Sequence, residues 1–136
     1  MYEPFEHTAD IGLKITAKNK SELFIEACKG FYSLLIDDPT SVEPKLAVSL
    51  EVQGEHPELL LRDLLAELLY LFDTEKLCLR DFEVTFTPSG LHLDAKGEHI
   101  DLARHKLMHE VKAVTYHNLQ VTETPHGWLA EVIFDI

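Results

Sequence analysis

Trp128-Leu129-Ala130-Glu131-Val132-Ile133-Phe134-Asp135-Ile136 is the stretch on which the reading of this chain turns. Val, Ile and aromatic residues dominate it and Gly127 precedes it, the composition of a β-strand entered from a turn. Trp128, Ala130, Val132, Phe134 and Ile136 alternate onto one face. Leu129 and Ile133 make the other face apolar as well, so the strand is expected to be covered on both sides. The apolar pattern runs to the last residue. A packed Ile136 would hold the terminal carboxylate beside that of Asp135, two neighbouring oxygen donors that a third carboxylate would complete into a hard-metal site. The same residues would equally make a plain strand end with Asp135 solvated.

Outward from this strand, Thr124-Pro125-His126-Gly127 reads as the turn into it, and Val111 to Thr122 as a long strand before that. Near the N-terminus, Tyr2 to Glu6 is a short extended start and Glu6-His7-Thr8-Ala9-Asp10 a polar turn. Ile11 to Ala17 alternates as a strand with its odd positions facing the core. Ser21 is placed as an N-cap, with Glu22 favourable for the helix dipole, and Leu23, Phe24, Ala27, Cys28, Phe31, Leu34 and Leu35 define an amphipathic helix to about Ile36. Leu46 to Gln53 is a half-buried strand. Pro57 suits a first helical position, and the leucines from Leu59 to Leu71, with Phe72, cover most of a helix, predicting a central element buried on more than one side. Leu77 to Thr87 and Leu91 to Ala95 flank Pro88-Ser89-Gly90 as a β-hairpin. A polar stretch follows from Gly97, with a short helix expected over 101–109.

Val52-Gln53-Gly54-Glu55-His56-Pro57-Glu58-Leu59 echoes Ala95-Lys96-Gly97-Glu98-His99-Ile100-Asp101-Leu102, which suggests a duplicated β-α unit with a shared Gly-Glu-His exit from strand to helix; chance similarity competes with it. Strands outnumber helices and several are hairpin-linked. The expected class is α+β, one domain over residues 1–136 with mixed or antiparallel sheets and two main helices.

The chain carries 12 basic and 24 acidic residues, a formal charge of −12, which argues against a nucleic-acid-binding surface and fits a partner protein with a basic cleft. Cys28 and Cys78 fall in apolar patterns and are expected as buried free thiols in a reducing compartment. The N-terminus lacks the pattern of a signal peptide, and Arg62, Asp63 and Glu67 interrupt the leucine-rich run, so no membrane span is expected.

Candidate sites are sparse. His105 and His109 are four apart, the spacing of two ligands on one helix face, but no further ligand completes a zinc pattern, and surface histidines on a polar helix fit better. Ser21, Ser33, Ser41 and Ser89 sit in no nucleophile elbow, and no Gly-rich phosphate loop exists. Lys112 and His117 lie among apolar residues in Val111-Lys112-Ala113-Val114-Thr115-Tyr116-His117. Lys112 would either lie on the solvent face with its stem packed, or stand near the carboxylates and balance their charge.

Phe5-Glu6-His7-Thr8-Ala9-Asp10-Ile11-Gly12, the Val111–His117 run and the ending Trp128 to Asp135-Ile136 together resemble the archease family, and the likeness spans essentially the whole chain, with Gly97-Glu98 and His105 in place. The resemblance implies a small cofactor protein and not an enzyme. It implies activation of the GTP-dependent tRNA-splicing RNA ligase of the RtcB type, by promoting guanylylation of the ligase histidine and so multiple turnover, and a broader nucleotide use. The family's divalent-cation site, with calcium, or magnesium or manganese in its place, would map onto Asp10, Asp135 and the carboxylate of Ile136. Lys112 would be its functionally important lysine, and His7 and His105 are carried as functional residues of unassigned role. The partner implied is the ligase, with no direct nucleic-acid binding, no membrane, a monomer or small oligomer, and a cytoplasmic location. Two rivals stand beside this: a metal-dependent hydrolase using His7 or His117 as acid/base, and a chaperone-like adaptor for nucleic-acid-modifying proteins.

Overall fold

In the computed structural model the described residues are 1–7 and 10–136, with the side chains of Glu6 and His7 outside that description. Among the described residues, eight strands and two long helices follow in the order β1 (Tyr2–His7), β2 (Asp10–Ala17), α1 (Lys20–Leu35), β3 (Leu46–Gln53), α2 (Pro57–Glu75), β4 (Leu77–Thr87), β5 (Gly90–His99), β6 (Ala113–Val114), β7 (Gln120–Thr124) and β8 (Gly127–Asp135). A 3-10 turn, Pro39–Ser41, follows α1. The class is α+β, with every strand pair antiparallel.

The final strand is central in its sheet. β8 pairs β2 along one edge, while β6 and β7 share its other edge end to end; β1 closes the sheet beyond β2. Ala130, Val132 and Phe134 face the core and are fully buried. On the opposite face Ile133 is buried as well, and its cross-strand partner Gly12 lies under the Phe5 ring, which fills the space a Cβ would need. The second sheet has the order β3-β5-β4. The hairpin predicted around Pro88-Ser89 is present, with Thr87 paired to Gly90.

Both helices touch both sheets, and α1 supplies the aromatic contacts between them. Phe31 sits 5.8 Å from Phe134 of the large sheet, whereas Phe24 meets Phe86 edge-on at 5.0 Å and Tyr32 stacks on Phe82 at 6.0 Å in the small one. The rings of Phe24, Phe31, Tyr32 and Phe134 are fully buried, each contributing about 2 kcal/mol of transfer free energy. The α1 cap differs from the expectation: Asn19, not Ser21, accepts the Glu22 N–H at 2.9 Å, because Lys20 already opens the helix. α2 starts at Pro57 as predicted, yet it buries one broad face (Leu60, Leu61, Leu64, Leu65, Leu68, Leu69) and leaves Leu59 and Tyr70 exposed. Cys28 and Cys78 are buried free thiols. Burial pushes both up, Cys78 to about 12, which removes thiolate chemistry from either.

Three further expectations are corrected. Gly97-Glu98-His99 lies inside β5, and a loop follows it, so the echo with Gly54-Glu55-His56 does not mark a repeated β-α unit. The 101–109 segment is a single turn followed by irregular chain and not a helix, because Asp101 gathers it locally: its carboxylate accepts the Ala103 N–H at 3.0 Å and its carbonyl accepts the N–H groups of Arg104 and His105. The long strand expected over Val111–Thr122 is broken into β6 and β7. The Thr115 hydroxyl accepts the His117 N–H at 3.1 Å, Leu119 N–H reaches the Tyr116 carbonyl, and Asn118 takes a left-handed φ of 50°. No helix among the described residues is long and apolar enough to cross a membrane.

Candidate functional site

The β2–β8 ladder begins with Asp10 opposite Asp135. In an antiparallel pair, directly opposed residues project from the same face with Cβ atoms about 5 Å apart. Two carboxylates from opposite ends of the chain are therefore brought together by register alone. Asp10 is half-buried and Asp135 exposed. Ile136 follows immediately and is 37% exposed, so it is neither free in solvent nor sealed in the core.

β6 completes the frame from the other side. Ala113 pairs with Asp135, and the Lys112 N–H donates to the Asp135 carbonyl at 2.8 Å. Lys112 itself is exposed, and its backbone adjoins the carboxylate pair. The Thr115 N–H and hydroxyl both donate to the Ile133 carbonyl, at 3.0 and 2.9 Å, which fixes this edge. From α2, Arg62 Nε donates to the Val114 carbonyl at 3.0 Å, and its guanidinium lies 4.4 Å from the centre of the Tyr116 ring. The sequence reading did not pick out Arg62 as a support. The chemical signal was a lone arginine within a leucine-rich helix, a residue that seldom sits there without a partner.

His7 is the backbone partner of Asp10 in the β1–β2 ladder. Its side chain, with Thr8 and Ala9 of the expected polar turn, lies outside the described residues.

His105 does not join this site. It is 2% exposed rather than a surface histidine. Its Nδ1 accepts the Asp101 N–H at 2.9 Å, which leaves any ring proton on Nε2, 3.4 Å from Glu98 Oε2. Glu98 also accepts the Glu43 N–H at 2.6 Å and is paired with Arg104, whose guanidinium reaches Asp101 as well. Burial pushes the Glu98 carboxyl up, but the Glu43 N–H and the Arg104 charge outweigh it and hold the group below its usual range. This network folds the 101–109 loop onto β5. No single residue in it announces the cluster in sequence, because its members run from Glu43 to His105.

Among the described residues no three His, Cys, Asp or Glu side chains form a metal-binding group. The set expected at Asp10 and Asp135 has only two side chains, its third donor being the main-chain carboxylate of Ile136. The arrangement fits a cation on chemical grounds. Like charges directly opposed across strands destabilise a sheet unless something offsets them, and a donor set of oxygens only suits a hard divalent ion.

A small, strongly acidic α+β protein whose two chain ends converge on a carboxylate pair is the class these features define. Residues 2–136 match the family model described as the Archease protein family (MTH1598/TM1083). The chain is 39% identical to the archease of Pyrococcus abyssi, covering 99% of this chain and 98% of that one, and 35% identical to the archease of Archaeoglobus fulgidus with the same coverage. The solution structure of Methanobacterium thermoautotrophicum protein 1598 superposes with a TM-score of 0.83 at 32% identity, over 99% of this chain and 98% of that one. The crystal structure of a Thermotoga maritima protein described as an archease, possible chaperone, superposes with a TM-score of 0.64 at 20% identity, over 100% and 98%, a likeness of fold. The chain belongs to the archease family.

Proposed function

We propose that this protein is a non-enzymatic activator of the GTP-dependent RtcB-type tRNA-splicing RNA ligase, promoting guanylylation of the ligase histidine and so multiple turnover. The observation that carries the reading is the register pair of Asp10 and Asp135 at the converged chain ends, with Lys112 bonded through its backbone to the latter. Family membership supports the same reading. Asp10, Asp135 and the carboxylate of Ile136 would hold a divalent cation, calcium, magnesium or manganese. Bound there, it would supply positive charge against phosphate oxygens, the requirement of nucleotidyl transfer. The chain's own part is to fix the carboxylates: β2 and β8 set their spacing, β6 braces Asp135, and Arg62 braces β6. The charge of −12 would steer the protein to a basic, phosphate-handling cleft.

The test is ligation turnover by the cognate ligase with GTP, with and without the protein. Multiple turnover only in its presence, lost in Asp10→Ala and Asp135→Ala variants that stay folded, supports the reading. Full stimulation by the Asp135→Ala protein rejects the site.

A chaperone-like adaptor is the second reading, favoured by the description of the Thermotoga maritima relative as a possible chaperone. It expects comparable binding to several unrelated nucleic-acid-modifying proteins, whereas the ligase reading expects one dominant partner.

A further inference from the structure

α1 starts beyond the Ala17 end of β2 and runs back along it, so its C-terminal turn arrives at the end of the large sheet where Asp10 faces Asp135; the Phe31–Phe134 contact fixes that placement. The loop after β5 is laid across this turn. Asp37 N–H donates to the Lys106 carbonyl, Met108 N–H to Leu35 and His109 N–H to Leu34, each at 2.9 Å, and Ile36 bridges Leu107. Four residues after Met108, Lys112 bonds to Asp135, so Met108 lies within about 14 Å of Lys112 by chain length alone.

Although its backbone is tied down at both ends, this loop holds Leu107 and Met108 outward, 52% and 49% exposed. A single exposed apolar residue needs no explanation. Two in succession, on a hydrogen-bonded loop at the end of the molecule that carries the carboxylates, with Ile136 also part-exposed there, form an apolar lip beside a charged centre. Fully desolvated apolar anchors with a polar site alongside are the anatomy of a protein interface, and Met is enriched in such places.

We infer that Leu107 and Met108 are the apolar anchors by which this end of the protein docks into a partner's cleft, the partner being a phosphate-binding protein with a basic floor and an apolar rim. Charge complementarity selects that occupant. The chain is at −12 and this loop runs on through Lys112 to the Asp10–Asp135 pair, so a second copy would oppose like charges. This inference rests on the proposed function, under which the partner is the RNA ligase.

The experiment measures binding of the purified cognate ligase by calorimetry, alongside manganese binding to the isolated protein. A Leu107→Asp/Met108→Asp variant is expected to bind the ligase about tenfold or more weakly, with its manganese isotherm and thermal melt unchanged. Leu107→Ser/Met108→Ser, which adds no charge, separates lost packing from repulsion and should show the same direction. Wild-type affinity in both variants overturns the inference and leaves the proposed function standing. Absence of any binding by the wild-type protein overturns the proposed function and this partner with it. A dimer that the aspartate variant dissolves assigns the face to a second copy and overturns the inference.

Discussion

Asp10 and Asp135 stand directly opposite each other in the β2–β8 ladder, although 124 positions separate them between their numbers. A sheet normally avoids that pairing, because opposed like charges destabilise it. The neighbouring pairs explain why it is tolerated: Ile11 with Phe134, and Gly12 with Ile133, lock the register by burial, so the carboxylates cannot slip apart without turning the core faces outward.

That lock leads to the first prediction. In a chelator, Asp135→Asn should raise stability by up to about 1 kcal/mol, the cost of an opposed like-charge pair. Calcium or manganese at roughly 100 times its Kd should stabilise the wild-type protein by about 2.7 kcal/mol, whereas the Asn variant should not respond. Calorimetric melts with and without EDTA measure both. A variant that still gains stability from the cation would place the ion elsewhere.

Arg62 is expected to act on the site from a distance. Lys at this position keeps the charge but loses the Nε–H bond to Val114 and the planar stack on Tyr116. Arg62→Lys should cost about 1 kcal/mol. The specific readout is amide exchange at Lys112 and Thr115, whose N–H groups bond β8. Exchange there should quicken while amides in the middle of α2 keep their protection. Equal quickening throughout would mean that Arg62 serves α2 and not β6.

What the sequence made legible follows from how local each signal is. The two-residue period of 128–136 and of 82–86, and the helical spacing of 23–35, are properties of a few consecutive residues, and the elements stand where those periods put them. The Asp10–Asp135 pairing came from resemblance, since register depends on how residues far apart in the chain are buried together. His105 shows the opposite case. Its neighbours Arg104 and Lys106 make the segment read as solvated, but Glu98 and the Asp101 turn draw the ring inward. The expected 111–122 strand failed for a partly similar reason: Thr115 suits a strand by composition, Asn118 suits a turn, and the break is fixed by hydrogen bonds that Thr115 makes to β8 and to His117.

His105 yields a prediction that separates a hydrogen bond from mere bulk. Ala at this position leaves the Asp101 N–H without its acceptor and opens space beside Glu98, at a cost of about 2 kcal/mol. Asn is smaller than His, but its Oδ1 can accept the same N–H. Urea unfolding should therefore find His105→Asn closer to wild type than His105→Ala, and closer than His105→Leu, which fills the space with no acceptor. If Leu proves the most stable of the three, packing and not the Nδ1 bond holds the loop.

Glu98 sets a pH dependence with a definite sign. In the folded chain its carboxyl is held below the usual range: burial opposes this, but the Glu43 N–H, the Arg104 guanidinium and the His105 ring together prevail. Unfolded, a glutamate titrates near about 4.3. Between that value and the lower folded one, the unfolded chain binds a proton that the folded chain does not, so stability falls as pH falls. Above the unfolded value the contribution is fully present. Glu98→Gln removes the buried charge that pairs with Arg104, making the variant less stable than wild type at neutral pH. It also removes the titration, so the gap should narrow as both proteins are taken down through the acid window. Asp94 shifts the same way, held down by the Ser49 hydroxyl and by His92, and it is present in both proteins. The difference between the two melting curves from neutral pH to about pH 3, and not the wild-type curve alone, isolates Glu98. Parallel curves across that range would mean that Glu98 titrates alike in the folded and unfolded chains, and the network with Arg104 would then contribute no acid sensitivity.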